Sequence, residues 1–495
     1  MNTSSRLNQS LLGALPAGIS RPQYQRDRLQ PGIVHLGLGN FHRSHQALYL
    51  DDLFQQGGSQ EWGICGVGLL PQDSKMAEAL LPQDYLYTLV ERDSQQETMR
   101  VVGSLCGYLH APSDPAAVLA RLTDAQTKIV SLTVTEGGYY LNQGSGELDH
   151  EHPNLRHDLE HPEQAPVSVY GYLSTALEQR KAAGKAPFTI MSCDNLQSNG
   201  DIVRRMLTRF AHLRDPQLGA WIESNVAFPN CMVDRITPAT TDTLRAYVQQ
   251  QFGGVEDAWP VLGETFRQWV IEDKFSQGRP AFEKAGVQIT SDVHPYELMK
   301  IRMLNASHQA LCHLGVLLGY ETTDKAMQDQ HIPALLNRYL DTVRELIPEP
   351  PGVNLANYQQ TLLQRYANPA IKDQLARICF DASSRIPKFV LPSAREQLAR
   401  GAPVNVFAFV VACWIRYLGG QDDAGARIEV QDPLRDLLLS KVGYGTVDPL
   451  PLLQVSQLFG SDLAQAEPFV QAVRTTLESL HQKGARATVA DFLGT

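Results

Sequence analysis

In the stretch KIRMLNASHQA, residues 300–310, Lys300, Asn305 and His308 interrupt a run whose other members, Ile301, Met303, Leu304 and Ala310, have the character of core. On a helix at about 100° per residue with Glu297 as zero, Lys300 falls near about 300°, Asn305 near about 80° and His308 near about 20°. All four polar groups then share one face. An ammonium, an amide and an imidazole converging from one face can surround a single oxygen-bearing carbon. Taking the proton from a secondary alcohol needs a base, and the alkoxide that develops as hydride leaves needs hydrogen-bond donors. Lys300 is the candidate base, since burial beside another positive charge disfavours its ammonium form. Asn305 is a candidate donor to the reacting oxygen, His308 a candidate ligand for a neighbouring hydroxyl, and Glu297 a candidate proton relay to solvent. The same spacing suits a solvated or capped helix surface, and spacing alone does not decide.

Such chemistry needs a hydride acceptor. The segment GIVHLGLGNFHRSHQALYLDDLF, residues 32–54, reads as a short strand, a glycine turn and a helix. Gly37, Gly39, Asn40 and Phe41 therefore occupy the place where backbone approaches a dinucleotide pyrophosphate. His42 stands where the usual third glycine would be, so an ordinary turn is the competing reading. Asp73, after a second strand, can bind an adenosine ribose hydroxyl and repel a 2′-phosphate, which favours NAD over NADP. Its alternative role is a turn residue or helix N-cap before SKMAEAL.

Further strands are expected at 62–70, 127–140 and 187–195, with helical patterns at 114–125 and 168–184 between them. Strands alternating with helices imply an α/β, doubly wound parallel sheet of Rossmann type. From about residue 291 the patterns become helical, in segments such as IPALLNRYLDTVRELI, NYQQTLLQRYA, AIKDQLARICFDA and NVFAFVVACWIRYLG. The expected division is a nucleotide-binding domain over residues 1–290 and a mostly α-helical, substrate-binding and catalytic domain over 291–495, with the proline-rich 347–354 region as a loop in the second.

The net charge is −10 without any run of lysines or arginines, which argues against nucleic-acid or anionic membrane partners. Seven cysteines stand singly, with no C-x-x-C pair and no metal-type Cys/His spacing, so neither a disulfide framework nor a zinc site is indicated. His35, His42 and His45 look like a cluster, but one lies in a strand and two open a helix, so structural or cofactor-loop roles are expected. The leader before Pro22 lacks a targeting h-region, and no segment reaches membrane-spanning length. A soluble, cytoplasmic protein is expected.

The segment KIRMLNASH resembles the K-x(5)-N-x(2)-H signature of the polyol-specific long-chain dehydrogenase/reductase (mannitol dehydrogenase) family. The likeness extends in order through GIVHLGLGNFHRSHQA, ICGVGL, SLTVTEGGYY, MSCDN, FPNCMVDRITP, FRQWVIEDKF, GRPAFEKAGVQ and SSRIPKF, covering nearly the whole chain.

The resemblance implies a Rossmann-type domain followed by a helical one, an active site in the cleft between them, NAD as cofactor, no metal, and Lys300 as general acid/base. It also implies that Asn195 and Asn305 polarise the reacting oxygen, that His308 and Asp234 bind substrate, that Glu297 exchanges the proton with solvent, and that Arg377 contacts the far end of the sugar chain. Arg385 stands where the family usually has lysine. ICGVGL, TEGGY, FPNCMVDRITP and DAWPV lean towards the mannitol-oxidising branch. The expected reaction is oxidation of D-mannitol to D-fructose, or of D-arabinitol to D-xylulose. The alternative is a fructuronate-type reductase acting on D-mannonate, with Arg377 and Arg385 as a carboxylate clamp. A non-catalytic sugar and nucleotide sensor is disfavoured by the full set of proton-transfer residues. The family also leans towards a monomer.

Overall fold

The computed structural model describes residues 5–142, 146–443 and 445–495. The chain divides into two compact units, one ending at His294 and the other beginning at Pro295.

The first unit is built on a five-stranded sheet in the order β5-β2-β1-β6-β7, comprising β1 (Ile33–Leu36), β2 (Ile64–Gly68), β5 (Leu105–His110), β6 (Ile129–Leu132) and β7 (Thr189–Ser192). Every pairing in it is parallel. Its strands are apolar on both sides because both faces are covered. Ile33, Ile64, Ile129 and Met191 enter one apolar cluster with Leu48, Leu53 and Phe54 of the Gln46–Gln55 helix. Val34, Leu36, Val130, Leu132 and Ile190 enter another with Leu173 and Leu177 of the Val169–Ala182 helix and Met206 and Leu207 of the Asn199–Arg214 helix. This is the doubly wound, Rossmann-type arrangement expected from the alternation of strands and helices.

Two smaller sheets extend the unit. One pairs β3 (Tyr87–Arg92) with β4 (Glu97–Val102) antiparallel and with β9 (Val261–Gly263) parallel. The other runs β11-β10-β8, with β8 (Cys231–Asp234) antiparallel to β10 (Gln268–Glu272), and β10 parallel to β11 (Gln288–Thr290). The strand expected over 127–140 is shorter. After Leu132 the chain leaves the sheet and forms a 3-10 turn over Glu136–Tyr139.

The second unit is helical. Its central helix, Asn405–Leu418, is buried at every position from Val406 to Leu418. A helix apolar on all sides must be wrapped by others, and here the Ala306–Leu317 and Glu467–Leu493 helices pack against it. The pattern AIKDQLARICFDA yields a helix only over Leu375–Cys379. Lys372 and Asp381 take positive φ at its two sides, and the Asp432 carboxylate accepts from the Ser383 N–H (2.9 Å) and hydroxyl (2.6 Å), starting a separate helix at Ala382. No helix among the described residues is long and apolar enough to cross a membrane.

Candidate active site

In the first unit the order of strands reverses between β1 and β6, and the glycine turn lies at the carboxyl end of β1, beside that point. In doubly wound sheets ligands bind outside this edge. Gly37 has φ +89°, and a Cβ there would lie 2.2 Å from the Thr133 carbonyl oxygen, so only glycine fits. At Gly39, the N-cap of the Asn40–Ser44 helix, a Cβ would meet nothing nearer than the Gly37 oxygen at 3.9 Å. The turn is thus tight against the sheet and open on its other face, which fits approach by a pyrophosphate.

The Asn40 side chain is engaged within the turn. Its Nδ2 donates to Thr240 Oγ1 (3.0 Å) and the Pro238 carbonyl (3.3 Å), while its Oδ1 accepts from Arg43 (2.8 Å) and the Trp259 indole (3.2 Å). The side-chain amide is committed to fixing the turn, so a cofactor contact from Asn40 falls to its backbone. Phe41 is half-buried, its ring stacked on His45. His42 is buried against His35 rather than facing the turn. Asp73 follows β2 at the N-cap position of the Ser74–Leu80 helix, yet it makes no capping bond there. Its Oδ2 accepts from the Leu70 N–H at 2.9 Å.

Asn195 lies exposed in the loop after β7, and Asp234 is buried at the end of β8. Two neighbours that sequence reasoning passed over hold these positions. Asn199 donates to the Asp194 carbonyl (3.1 Å) and the Cys231 carbonyl (2.9 Å) and accepts from the Cys231 N–H (3.0 Å), stapling the Asn195 loop to β8. The Asp194 carboxylate accepts from Tyr139 Oη (2.6 Å) and from the N–H groups of Val134 (2.9 Å) and Thr135 (3.0 Å). Burial raises its pKa above the usual carboxylate range against those bonds. Thr135, Tyr140 and Ser198 around it all have positive φ, and strain of this kind gathers at functional sites. MSCDN was legible as a block, but nothing in its spacing marked Asp194 as a support.

In the second unit Glu297 and Lys300 are buried, and Asn305 and His308 are half-buried. The run is not one regular α-helix. His294–Met299 and Ala306–Leu317 are α-helical, and Lys300–Asn305 between them is a π-helix, in which the Ala306 N–H reaches the Ile301 carbonyl five residues back. This corrects the angles expected from α-helical periodicity. In an α-helix residues five apart lie about 140° from each other, whereas i→i+5 closure returns them to the same side after one turn. Lys300 and Asn305 are drawn together more closely than their spacing indicated.

Arg377 and Arg385 are both anchored. The exposed Arg377 guanidinium forks onto Asp373, with Nε 2.8 Å from Oδ1 and Nη2 2.5 Å from Oδ2. Arg385 donates to the Ile378 carbonyl at 2.9 Å, at the end of the helix that carries Arg377. Beneath them the fold gathers Cys312, His313 and Cys379, all buried, with one donor atom of each within 4.8 Å of the others. Nothing in their spacing marks this group, because the residues share no metal-type pattern. The His313 Nδ1 lies 3.2 Å from the Gln309 carbonyl, as a donor to it, and the Cys312 thiol is held below its ordinary pKa, against burial, by hydrogen bonds from Cys379 and His313. The group is a hydrogen-bonded thiol pair with an imidazole beside it. All seven cysteines are free thiols.

A glycine turn at the switch point of a parallel sheet, followed by a helical unit carrying a buried lysine, is the plan of a dinucleotide-dependent oxidoreductase. Comparison with known proteins narrows the class. The model of the mannitol dehydrogenase Rossmann domain matches residues 31–284, and that of the mannitol dehydrogenase C-terminal domain matches residues 292–481. The chain is 46% identical to a mannitol 2-dehydrogenase of Phaeosphaeria nodorum over 98% of its own length and 85% of that protein's. It is 44% identical to one of Aspergillus fumigatus over 100% and 99%. Among solved structures it resembles the Pseudomonas fluorescens mannitol 2-dehydrogenase in ternary complex with NAD and D-mannitol (TM-score 0.88, 42% identity, 99% of this chain and 100% of that one). It also resembles a D-sorbitol dehydrogenase in substrate-free form (TM-score 0.91, 39% identity, 98% and 100%). The chain belongs to the mannitol dehydrogenase family.

Proposed function

We propose that the protein oxidises a polyol to a 2-ketose with NAD, D-mannitol to D-fructose, with D-arabinitol to D-xylulose as a second substrate of the same configuration at the reacting end. The observation that carries this is the buried Lys300 one π-turn from Asn305, in a chain whose relatives are named for this activity. Bound NAD would supply the hydride acceptor for the carbinol carbon. The glycine turn at Gly37 and Gly39, the backbone of Asn40 and the ring of Phe41 would hold it, with Asp73 on the adenosine ribose. Lys300 Nζ takes the hydroxyl proton, and Glu297 passes it to solvent. Asn195 and Asn305 donate to the oxygen as charge develops on it, so they act mainly in the transition state. His308 and Asp234 hold the neighbouring hydroxyls. Proton transfer to an amine and donation from amides make a metal ion unnecessary to the reaction.

Arg385 in place of the family's usual lysine supports a second reading, a fructuronate-type reductase with a carboxylate clamp. Against it, the Arg377 guanidinium already binds a carboxylate, that of Asp373. One assay decides between them: NADH production on D-mannitol, D-arabinitol, D-sorbitol and D-mannonate, with and without EDTA. EDTA-resistant activity on the polyols is expected, and activity confined to D-mannonate would replace this reading with the second. Lys300→Ala is expected to keep NAD binding and lose at least ~10²-fold in kcat. Near-normal turnover would remove Lys300 from the mechanism.

A further inference from the structure

The π-turn at Lys300–Asn305 has a support of its own. A π-turn carries one residue more than the α-helical ladder accommodates, and such turns persist where side chains meet the displaced backbone groups. Here the carbonyls of Met303, which also accepts from the Ala306 N–H, and of Leu304 are met by two hydroxyls. Ser307 Oγ lies against the Met303 carbonyl and 3.2 Å from that of Leu304, while Tyr366 Oη, at the end of the Leu355–Tyr366 helix, is 3.0 Å from the Leu304 carbonyl and 2.7 Å from Ser307 Oγ.

Both residues are buried, and buried hydroxyls need partners. Their two protons admit two consistent chains. In one, Ser307 donates to Tyr366, which donates to the Leu304 carbonyl. In the other, Tyr366 donates to Ser307, which donates to the Met303 carbonyl, a back-bond of the kind that bends helices. The Tyr366 ring also packs on His308, with centroids 4.6 Å apart. One tyrosine thus touches both the backbone that sets the turn and a side chain of the site. On the outer side Arg302 binds Glu396 and the Leu346 carbonyl, so the segment is gripped from two directions.

We propose that Tyr366 and Ser307 are positioning residues, which hold the π-turn and thereby the angle between Lys300 and the Asn305–His308 pair. The inference rests on the polyol dehydrogenase reading above. Loss of either hydroxyl frees the turn to rewind towards α-helix, which moves Asn305 away from Lys300.

The test is steady-state kinetics from pH 6 to pH 10 on the purified full-length Tyr366→Phe, Ser307→Ala and Ser307→Thr variants and the double variant Tyr366→Phe/Ser307→Ala. Thermal melting gives the folded fraction of each. Tyr366→Phe and Ser307→Ala are expected to lower kcat about tenfold, equal to about 1.4 kcal/mol in the barrier, to leave KM for NAD in place, and to displace the acid limb of the kcat profile. Ser307→Thr, which keeps the hydroxyl, should stay near the parent. The double variant should lose little more than either single, as coupled residues do. An unmoved pH limb, with kcat unchanged or lowered only by the folded fraction, would overturn the proposal. Should Tyr366→Phe not fold, the Ser307→Ala and Ser307→Thr pair decides by the same readouts. Lys300→Ala assayed alongside separates the two failures. If it retains turnover, the mechanism itself is wrong. If it is inactive while the hydroxyl variants behave as parent, only the positioning role is lost.

Discussion

The imidazoles of His35 and His42 stack face to face with centroids 3.5 Å apart in the buried interior of the first unit. Two charged rings would not tolerate that contact, and burial disfavours the charge on either ring. Burial lowers His35 to about 3 and pushes His42 well below its ordinary value; His45, buried nearby, is likewise lowered to about 3.

Stability should therefore fall in acid. Below about pH 6.5 the unfolded chain protonates these three histidines and the folded chain does not, so folding loses free energy as pH drops from about 6.5 towards 3. Asp51, raised to about 6 by burial, and Asp194, also raised, work in the opposite sense, because there the folded state holds the extra proton. The three histidines outnumber these two carboxylates, so the net effect favours unfolding as pH falls. Urea midpoints at pH 7.5, 6.0 and 5.0 measure this. A flat profile would mean that the histidines charge in the folded state.

Asp73 is expected to set the cofactor preference. Asp73→Ala should raise KM for NAD about tenfold, the loss of one charge-assisted contact of about 1.5 kcal/mol, and should narrow the gap to NADP. Comparing kcat/KM for the two cofactors checks it. An unchanged ratio would place the discrimination elsewhere on the turn.

Asp194→Ala should cost about 2 kcal/mol of stability, since it leaves the Val134 and Thr135 N–H groups without their acceptor and the Tyr139 hydroxyl with Ser192 Oγ alone. It should also lower kcat at least ~10-fold by releasing the strained Thr135 loop and the Asn195 loop together. Chemical denaturation and turnover, measured on one preparation, separate the effects. A stability loss with kcat intact would confine Asp194 to the fold.

The elements legible in the sequence were those governed by local pattern. The apolar runs of β2, β6 and β7, the glycine turn after β1 and second-unit helices such as Ile332–Arg344 and Asn405–Leu418 announce themselves by local pattern, whereas the Glu467–Leu493 helix did not. What escaped depends on partners far along the chain. The strands β8 and β9 pair with segments that no local pattern connects to them. Asp194 and Asn199 look like loop residues until their donors arrive from Val134, Thr135, Tyr139 and Cys231. The π-turn was hidden for a different reason. Reading at 100° per residue presupposes α geometry, and the hydroxyls of Ser307 and Tyr366 that mark the departure are set by folding of the second unit.

That turn also relaxes a constraint that any single α-helix imposes. In a continuous α-helix the core residues at one end dictate where every other side chain points, because the whole element has one phase. Here Tyr296 and Met299 are buried before the turn, and Leu311 and Leu314 after it. The extra residue between them lets each half bury its own apolar side while the polar groups at the junction are aimed independently. Deleting one residue between Lys300 and Asn305 would leave them four apart on an α-helix, about 40° from each other and still on one side, but would remove the widened turn between the two halves. The inserted residue thus gives the junction a width that no substitution within a regular helix supplies.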